Sequence, residues 1–249
     1  MHVFLHYVHL RKRYILALAL ISTLLIFGFQ KISSYLEERH IATLSWTVAN
    51  KLIVIDPGHG GVDPGALGTT GIHEKDIVLD VSKKLALILR EAGAEAVLTR
   101  ETDRELSDPV ANYSYKAKIQ DLSRRVDLAN SRNADIFISI HVNSFPDPRV
   151  DGAQTFFQPG SEESKRLARA IQNQFNRYLA NPGREAKQVD YFANRMARMP
   201  STIVEIGFIT NPGEEKLMLD QYYQSKVAWA IYAGIVRYFS EPKPALANP

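Results

Sequence analysis

Two histidines and two glutamates stand where the sequence could assemble a metal site. His59 follows a short apolar run, in the glycine- and proline-rich segment VIDPGHGGVDPGALG, and His141 lies near the end of a second run, FISIHVNSF. Glu205 lies inside a third run, STIVEIGF, and Glu74 begins a helical pattern that follows the first. Because ligands of open α/β sheets bind beyond the carboxyl ends of the strands, we expect both histidines at one edge of a sheet.

The residue types favour a catalytic metal over a structural one. Two neutral imidazoles and one carboxylate hold zinc with a fourth position open to water, whereas a structural zinc site needs four ligands and commonly uses thiolates. The chain has no cysteine. With Glu74 as the third ligand, Glu205 is free to move a proton, and this role explains a carboxylate within an apolar run. The pattern predicts a zinc metallohydrolase.

Each of these residues also has a simpler structural interpretation. His59 fits a loop histidine bonded to a neighbouring aspartate, and His141 fits a core histidine whose hydrogen bonds are satisfied. Glu74 fits a first-turn carboxylate favoured by the helix dipole, and its neighbour His73 is a rival metal ligand. The glycine-rich segment lacks the Lys-Ser/Thr ending of a phosphate-binding loop, and no Gly-x-Ser-x-Gly motif of a serine hydrolase is present.

Strands and helices alternate along the part of the chain that must position these residues. Short β-branched runs predict strands at 52–56, 94–100, 134–143, 153–158 and 201–208. Helical periodicity predicts helices at 74–93, 122–133 and 161–179, and around 226–239. This order predicts an α/β fold with a largely parallel sheet. The polar residues 101–120 are interpreted as a long loop beside the cleft.

The first fifty residues differ from the rest. A basic cluster at 11–13 precedes the uncharged apolar residues 14–30, a length that crosses a bilayer core at about 1.5 Å of rise per residue. We expect a retained transmembrane signal anchor at 14–30, with residues 1–13 as a cytoplasmic basic tip and residues 31–50 as a stalk outside the cytoplasm. A cleaved signal peptide and a buried core helix are the alternatives, but no small-residue cleavage site closes the apolar run.

The composition of the whole chain limits the class of protein and the partners that it can have. The 249 residues are 45% hydrophobic and 23% charged, which is typical of a globular protein. The formal net charge of +3 is too small to indicate nucleic-acid binding, so we expect no nucleic-acid partner. We expect one catalytic domain at 51–240 and a proline-rich tail at 241–249.

Four segments, in this order, resemble the zinc-dependent N-acetylmuramoyl-L-alanine amidases of the Amidase_3 type: VIDPGHGGVDPGALG, IHEKD, RRVDLANSRNADIFISIHVNSF and STIVEIGFITNP. The resemblance covers about residues 51–240 and implies a twisted, mostly parallel mixed sheet flanked by helices on both faces. It also implies that His59, Glu74 and His141 are zinc ligands. By the same resemblance, Glu205 is the catalytic glutamate.

The resemblance implies hydrolysis of the amide between the lactyl group of muramic acid and the L-alanine of the peptidoglycan stem peptide. The N-terminal anchor and the segment NYSYKAKIQDLSRRVDLAN are similar to members that act in spore cortex maturation, where a muramic acid deacetylase completes muramic-δ-lactam formation. We therefore expect a membrane-anchored, extracytoplasmic enzyme, in the cell envelope or the forespore intermembrane space. A zinc peptidase and a catalytically silent wall-binding protein are the rival functions, and the sequence names no regulatory partner.

Overall fold

The computed structural model describes residues 2–108, 114–179, 181 and 183–241, without the side chains of 2–13 and 30. The chain divides into two compact units between Thr43 and Leu44. Helix α1 (His2–Leu44) forms the first unit and ends one residue beyond it. Its apolar part, with a mean hydropathy of 2.0, is long enough to cross a membrane. The segment predicted as a stalk continues this helix to Leu44, and a 3-10 helix, Ser45–Val48, follows.

A six-stranded sheet forms the centre of the second unit. Its strands are β1 (Leu52–Pro57), β2 (Glu95–Leu98), β3 (Ile136–Asn143), β4 (Gln154–Phe157), β5 (Lys187–Gln188) and β6 (Ser201–Phe208). They lie in the order β2-β1-β3-β6-β4-β5. All neighbouring pairs are parallel except β4 and β6, which run antiparallel. The predicted mixed, mostly parallel sheet is confirmed.

Helices cover both faces of this sheet. They are α2 (Glu74–Glu91), α3 (Tyr115–Ser131), α4 (Glu162–Tyr178), α5 (Phe192–Met196), α6 (Pro212–Met218) and α7 (Gln221–Ser240). On one face, the hydroxyl of Thr155 in β4 donates to the carbonyl of Ala168 in α4, at 2.9 Å. The next strand residue, Phe156, points the other way and shares a core cluster with Val126 of α3 and Ala193 of α5. The expected helices on both faces are therefore present.

Three parallel strands bring the candidate residues to one edge of the sheet. Strands β1 and β3 are buried almost throughout, which explains why their sequences are continuous apolar runs rather than alternating ones. Pro57 at the end of β1 pairs with Ile140, and the next residue of β3, His141, pairs with Glu205 of β6. The register of β3 shifts between His141 and Asn143, an irregularity of the kind that re-aims side chains near functional sites.

The predicted boundaries agree with the structure where the local signals are strong. Strand β6 has the predicted bounds, and α2 begins at the predicted residue, Glu74. Helix α2 ends at Glu91, shortly before Gly93, whose φ of 87° is the left-handed conformation that commonly ends a helix.

The prediction of a loop over 101–120 is wrong in its last part. Residues 115–120 form the first turns of α3, and the hydroxyl of Ser114 caps them by accepting from the amide of Ala117 at 3.2 Å. The prediction failed because these turns are mostly solvent-facing, so they carry no apolar periodicity. Residues 109–113 of this loop, and the predicted tail after Glu241, lie outside the described residues.

Candidate functional site

Three side chains meet at the carboxyl edge of the parallel strands. His59 follows β1, His141 lies in β3, and Glu74 is the first residue of α2. Nε2 of His59 lies 3.2 Å and Nδ1 of His141 lies 3.0 Å from the same atom, Oε1 of Glu74. One possible ligand atom from each residue lies within 4.8 Å of the other two. Two imidazole nitrogens and a carboxylate oxygen at this spacing form a donor set that fits zinc.

The backbone fixes the carboxylate of Glu74. Its Oε1 accepts from the amide of Val142, and its Oε2 accepts from the amide of Ala66, both at 2.9 Å. Burial raises the pKa of Glu74, but the hydrogen bonds and charges of the two histidines outweigh burial and hold it well below its usual value. Gly65 leaves room for this arrangement, because a Cβ there would lie 2.6 Å from Oε2 of Glu74.

A second carboxylate orients His59. Nδ1 of His59 lies 2.9 Å from Oδ2 of Asp63, which leaves Nε2 facing Glu74. Burial lowers the pKa of His59, but the hydrogen bonds and charges of Asp63 and Glu74 outweigh it and raise the pKa to about 9. A carboxylate on the far ring nitrogen is the usual support of a metal-binding histidine, because it fixes the tautomer and the ring orientation.

Glu205 faces the cluster from the neighbouring strand. It pairs in register with His141 on one side and with Gln154 on the other. Its Oε2 is buried and has no hydrogen-bond partner within the part of the chain that the structure describes. Burial raises the pKa of Glu205 to about 7; the charge of Glu74 adds to this effect, and the histidines oppose it. A carboxyl group with a pKa near neutrality, beside a possible metal site, is suited to moving protons.

His73, the rival to Glu74, lies outside the cluster. It precedes α2, its side chain is 43% exposed, and its Nδ1 lies 4.0 Å from Oδ2 of Asp76. In the described residues, the group of three that could hold a metal is formed with Glu74 and not with His73. The structure therefore brings together the predicted residues His59, Glu74, His141 and Glu205. The alternative ligand, His73, lies apart from them.

A buried arginine that the sequence analysis missed supports the segment before His59. Arg125 of α3 forms ion pairs with Asp56, at 2.9 Å, and with Asp121, at 2.6 Å. It also donates to the carbonyls of Pro57, at 2.7 Å, and of His59, at 2.6 Å. Burial lowers the pKa of Arg125, but the two aspartates outweigh burial and raise it above its ordinary value. The available signal was Asp56, a carboxylate within a buried strand that requires a cationic partner.

Arg100 supports the same segment from another side. It donates to the carbonyls of Pro57, at 3.0 Å, and of Gly58, at 2.8 Å. Burial, and then the charge of Arg125, lower its pKa to about 10. Gly58 itself packs against the ring of His141, where a Cβ would lie 2.3 Å from Cε1. The turn that carries His59 is thus held by two guanidinium groups and fits closely against the second histidine.

We expect Arg125→Met to destabilise the fold strongly. The variant leaves Asp56 buried without its cation, and breaking a buried ion pair by removing one partner costs about 3–5 kcal/mol. Urea unfolding of the full chain in detergent, followed by circular dichroism, measures the loss. Arg124→Met is the matched control, because Arg124 is half-exposed and pairs with the exposed Asp108. Equal unfolding midpoints for the two variants would contradict a structural role of the buried pair.

A cavity of about 120 Å³ lies against the cluster. His59 and His141 line it together with Asp63, Lys118 and Leu122 among others. A larger cavity, of about 380 Å³, lies between α4 and residues 183–186, and none of the four candidate residues lines it. The smaller cavity is therefore the one beside the candidate chemistry.

Comparison with known proteins agrees with this geometry. The sequence profile of the Amidase_3 family, described as N-acetylmuramoyl-L-alanine amidase, matches residues 53–237. The chain is 39% identical over 199 residues to the germination-specific N-acetylmuramoyl-L-alanine amidase of Bacillus subtilis, covering 79% of this chain and 83% of that protein.

Solved structures give the same result. The CwlD amidase of Clostridioides difficile, solved in complex with the GerS lipoprotein, matches with a TM-score of 0.74 and 38% identity, over 77% of this chain and 99% of that one. The amidase AmiC2 of Nostoc punctiforme matches with a TM-score of 0.66 and 33% identity, over 77% of this chain and 98% of that one. The expected fold and enzyme class are confirmed, and the chain belongs to the Amidase_3 family of N-acetylmuramoyl-L-alanine amidases.

Proposed function

We propose that this amidase uses one zinc ion, held by His59, Glu74 and His141, to hydrolyse the amide between the muramic acid lactyl group and L-alanine of peptidoglycan. The observation that carries the proposal is the convergence of three donor atoms within 4.8 Å, beside Glu205, whose buried Oε2 has no hydrogen-bond partner in the described residues. Zinc at such a site supplies Lewis-acid activation of the amide carbonyl and of a water molecule.

Glu205 is the proposed proton carrier. Its carboxylate accepts a proton from the attacking water and passes it to the nitrogen of L-alanine as that nitrogen leaves. A pKa of about 7 lets the group both accept and release a proton near neutrality. Glu74 is unsuited to this role, because the two histidines hold its pKa low and both of its oxygens accept backbone hydrogen bonds.

The test combines metal analysis with product analysis on the full chain in detergent. We expect about one zinc per chain and release of stem peptides that begin with L-alanine. Products that carry other new amino groups would instead assign the chain as a zinc peptidase. Zinc binding without release of any product would support a silent wall-binding protein.

We further propose that the substrate is spore cortex peptidoglycan. The proposal is supported by similarity to the germination-specific amidase of Bacillus subtilis and to the CwlD amidase of Clostridioides difficile. Cleavage there would provide muramic acid for a deacetylase and so for muramic-δ-lactam formation. Spores that lack this chain are expected to contain no muramic-δ-lactam, and unchanged lactam content would contradict the assignment. By analogy with the CwlD complex, we propose a lipoprotein as a binding partner.

We propose that residues 14–30 of α1 anchor the enzyme in the membrane with the catalytic domain outside the cytoplasm. The exposed apolar side chains of this stretch support the proposal. Leu20→Arg combined with Leu24→Arg is expected to move the protein from the membrane fraction to the soluble fraction, because each arginine adds about 2.5–3.5 kcal/mol to insertion. Leu36→Arg, outside the span, is the matched control and should leave the protein in the membrane. Recovery of a shortened wild-type chain would instead indicate a cleaved signal peptide.

A further inference from the structure

Helix α6 carries two adjacent glutamates whose carboxylates bond to different parts of the site. Glu215 bonds to the turn that leads into α2, and Glu214 bonds to the end of β6 and the start of β4. Neither residue belongs to the group of three that could hold a metal. Adjacent residues on one short helix thus connect the segment of Glu74 with the segment of Glu205.

The carboxylate of Glu215 is almost completely enclosed, with 1% of the residue exposed. Its Oε1 accepts from the amide of Thr70, at 2.9 Å, and from the hydroxyl of Thr70, at 2.7 Å. Its Oε2 accepts from the hydroxyl of Thr69. Gly68 allows this approach, because a Cβ there would lie 2.2 Å from Oε1 of Glu215. Three donors from two consecutive residues fix the tip of this turn to α6.

The base of the same turn holds Glu74. The amide of Glu74 donates to the carbonyl of Ala66, and the amide of Ala66 donates back to Oε2 of Glu74, both at 2.9 Å. Leu67 and His73 form a bridge across the turn, just above Ala66 and Glu74. The position of the Glu74 carboxylate therefore depends on a short hairpin whose tip is bonded to Glu215.

Glu214 makes a corresponding connection on the other side of the site. Its Oε2 accepts from the amide of Phe208, at 2.7 Å, and its Oε1 accepts from the amide of Gly152, at 2.9 Å. Phe208 ends β6, the strand of Glu205, and Gly152 lies just before β4, whose Gln154 pairs with Glu205. The carboxylate of Glu214 thus ties together the two strands on which the proton carrier depends.

We propose that Glu214 and Glu215 are positioning residues with separate effects: Glu215 sets the geometry of the metal ligand Glu74, and Glu214 sets the geometry of Glu205. This inference rests on the proposed zinc-dependent function. It implies that one helix of seven residues controls metal affinity through one side chain and turnover through the next.

The experiment measures zinc affinity by chelator competition, and kcat at saturating zinc, on the full chain in detergent. We expect Glu215→Ala to weaken zinc binding about 10–100-fold, the usual cost of losing a residue that orients a metal ligand, with little change in kcat. Glu215→Gln should restore the wild-type affinity. The amide oxygen of Gln can accept both bonds from Thr70, and its amide nitrogen can donate to the hydroxyl of Thr69.

Glu214→Ala should give the opposite result, with unchanged zinc affinity and kcat lowered by up to about 10²-fold, because misplacement of a catalytic group by about 1 Å has an effect of that size. Glu214→Gln should not restore kcat. Both oxygens of Glu214 accept from backbone amides, and the NH₂ group of Gln would face one of those donors.

Glu163→Ala is the matched control, because Glu163 accepts from the hydroxyl of Tyr238, at 3.0 Å, and pairs with Arg166, away from these segments. It should lower thermal stability without moving zinc affinity or kcat. Variants of Glu214 and Glu215 that change both quantities together, in proportion to their loss of stability, would overturn the inference. A wild-type chain that binds no zinc and releases no stem peptide would instead overturn the proposed function.

Discussion

Glu205→Gln is expected to reduce turnover about 10²–10⁴-fold while leaving one zinc bound per chain. The magnitude is that of a positioned general acid–base group, and Gln is almost the same size as Glu but cannot carry a proton. Since Glu205 does not belong to the group of three residues that could hold the metal, zinc binding should be unaffected. Release of stem peptides and zinc content, measured on the same sample, check the two parts of the prediction.

The control for this variant is Gln154→Ala. Gln154 pairs with Glu205 across β4 and β6, but it carries no titratable group. We expect it to retain most of the activity, so a large loss in both variants would indicate damage to the strand pair rather than loss of a proton carrier. Substantial turnover by Glu205→Gln with zinc bound would remove Glu205 from its proposed role.

His141→Ala and His59→Ala are expected to abolish activity for a different reason, because each removes one of the three proposed metal ligands. The loss of zinc affinity should exceed the 10–100-fold that is typical of changes to supporting residues. Zinc retained after dialysis against a chelator, measured by elemental analysis, gives the result directly.

His73→Ala is the matched control for the ligand variants. It adjoins Glu74 in sequence, but its half-exposed ring lies outside the cluster. We expect normal zinc content and near-normal turnover. Loss of zinc on replacing His73, together with retention on replacing His141, would show that the ligand set is wrong.

The sequence predicts the central elements of this fold well and the short ones poorly. Strand β6 and the start of α2 could be located because an apolar run, or a helical pattern, is bounded by residues that break it. Helices α5 and α6, of five and seven residues, are too short to show a period. For α6, the Asn-Pro pair at 211–212 was a usable start signal, since Asn211 caps the helix.

The residues of the candidate site also differ in how well the sequence predicts their positions. His59, His141 and Glu205 could be placed at one edge because each lies in or just after an apolar strand, and parallel strands end together. Arg125 and Glu215 could not be placed, because many of their partners are backbone groups and hydroxyls far away in sequence. No periodicity or motif marks a carbonyl that an arginine will bind.

The strand order determines when the sheet can be completed during synthesis of the chain. Strand β6 lies between β3 and β4, although both are synthesised before it. Until residues 201–208 have emerged from the ribosome, β3 and β4 lack the neighbour that joins them, and Glu205 is absent. Contacts between segments so distant in sequence form late in folding, because the intervening loop must first be closed. Because Glu205 is the proposed proton carrier, we expect a partly made chain to be inactive and hydrolysis to begin only once β6 is inserted.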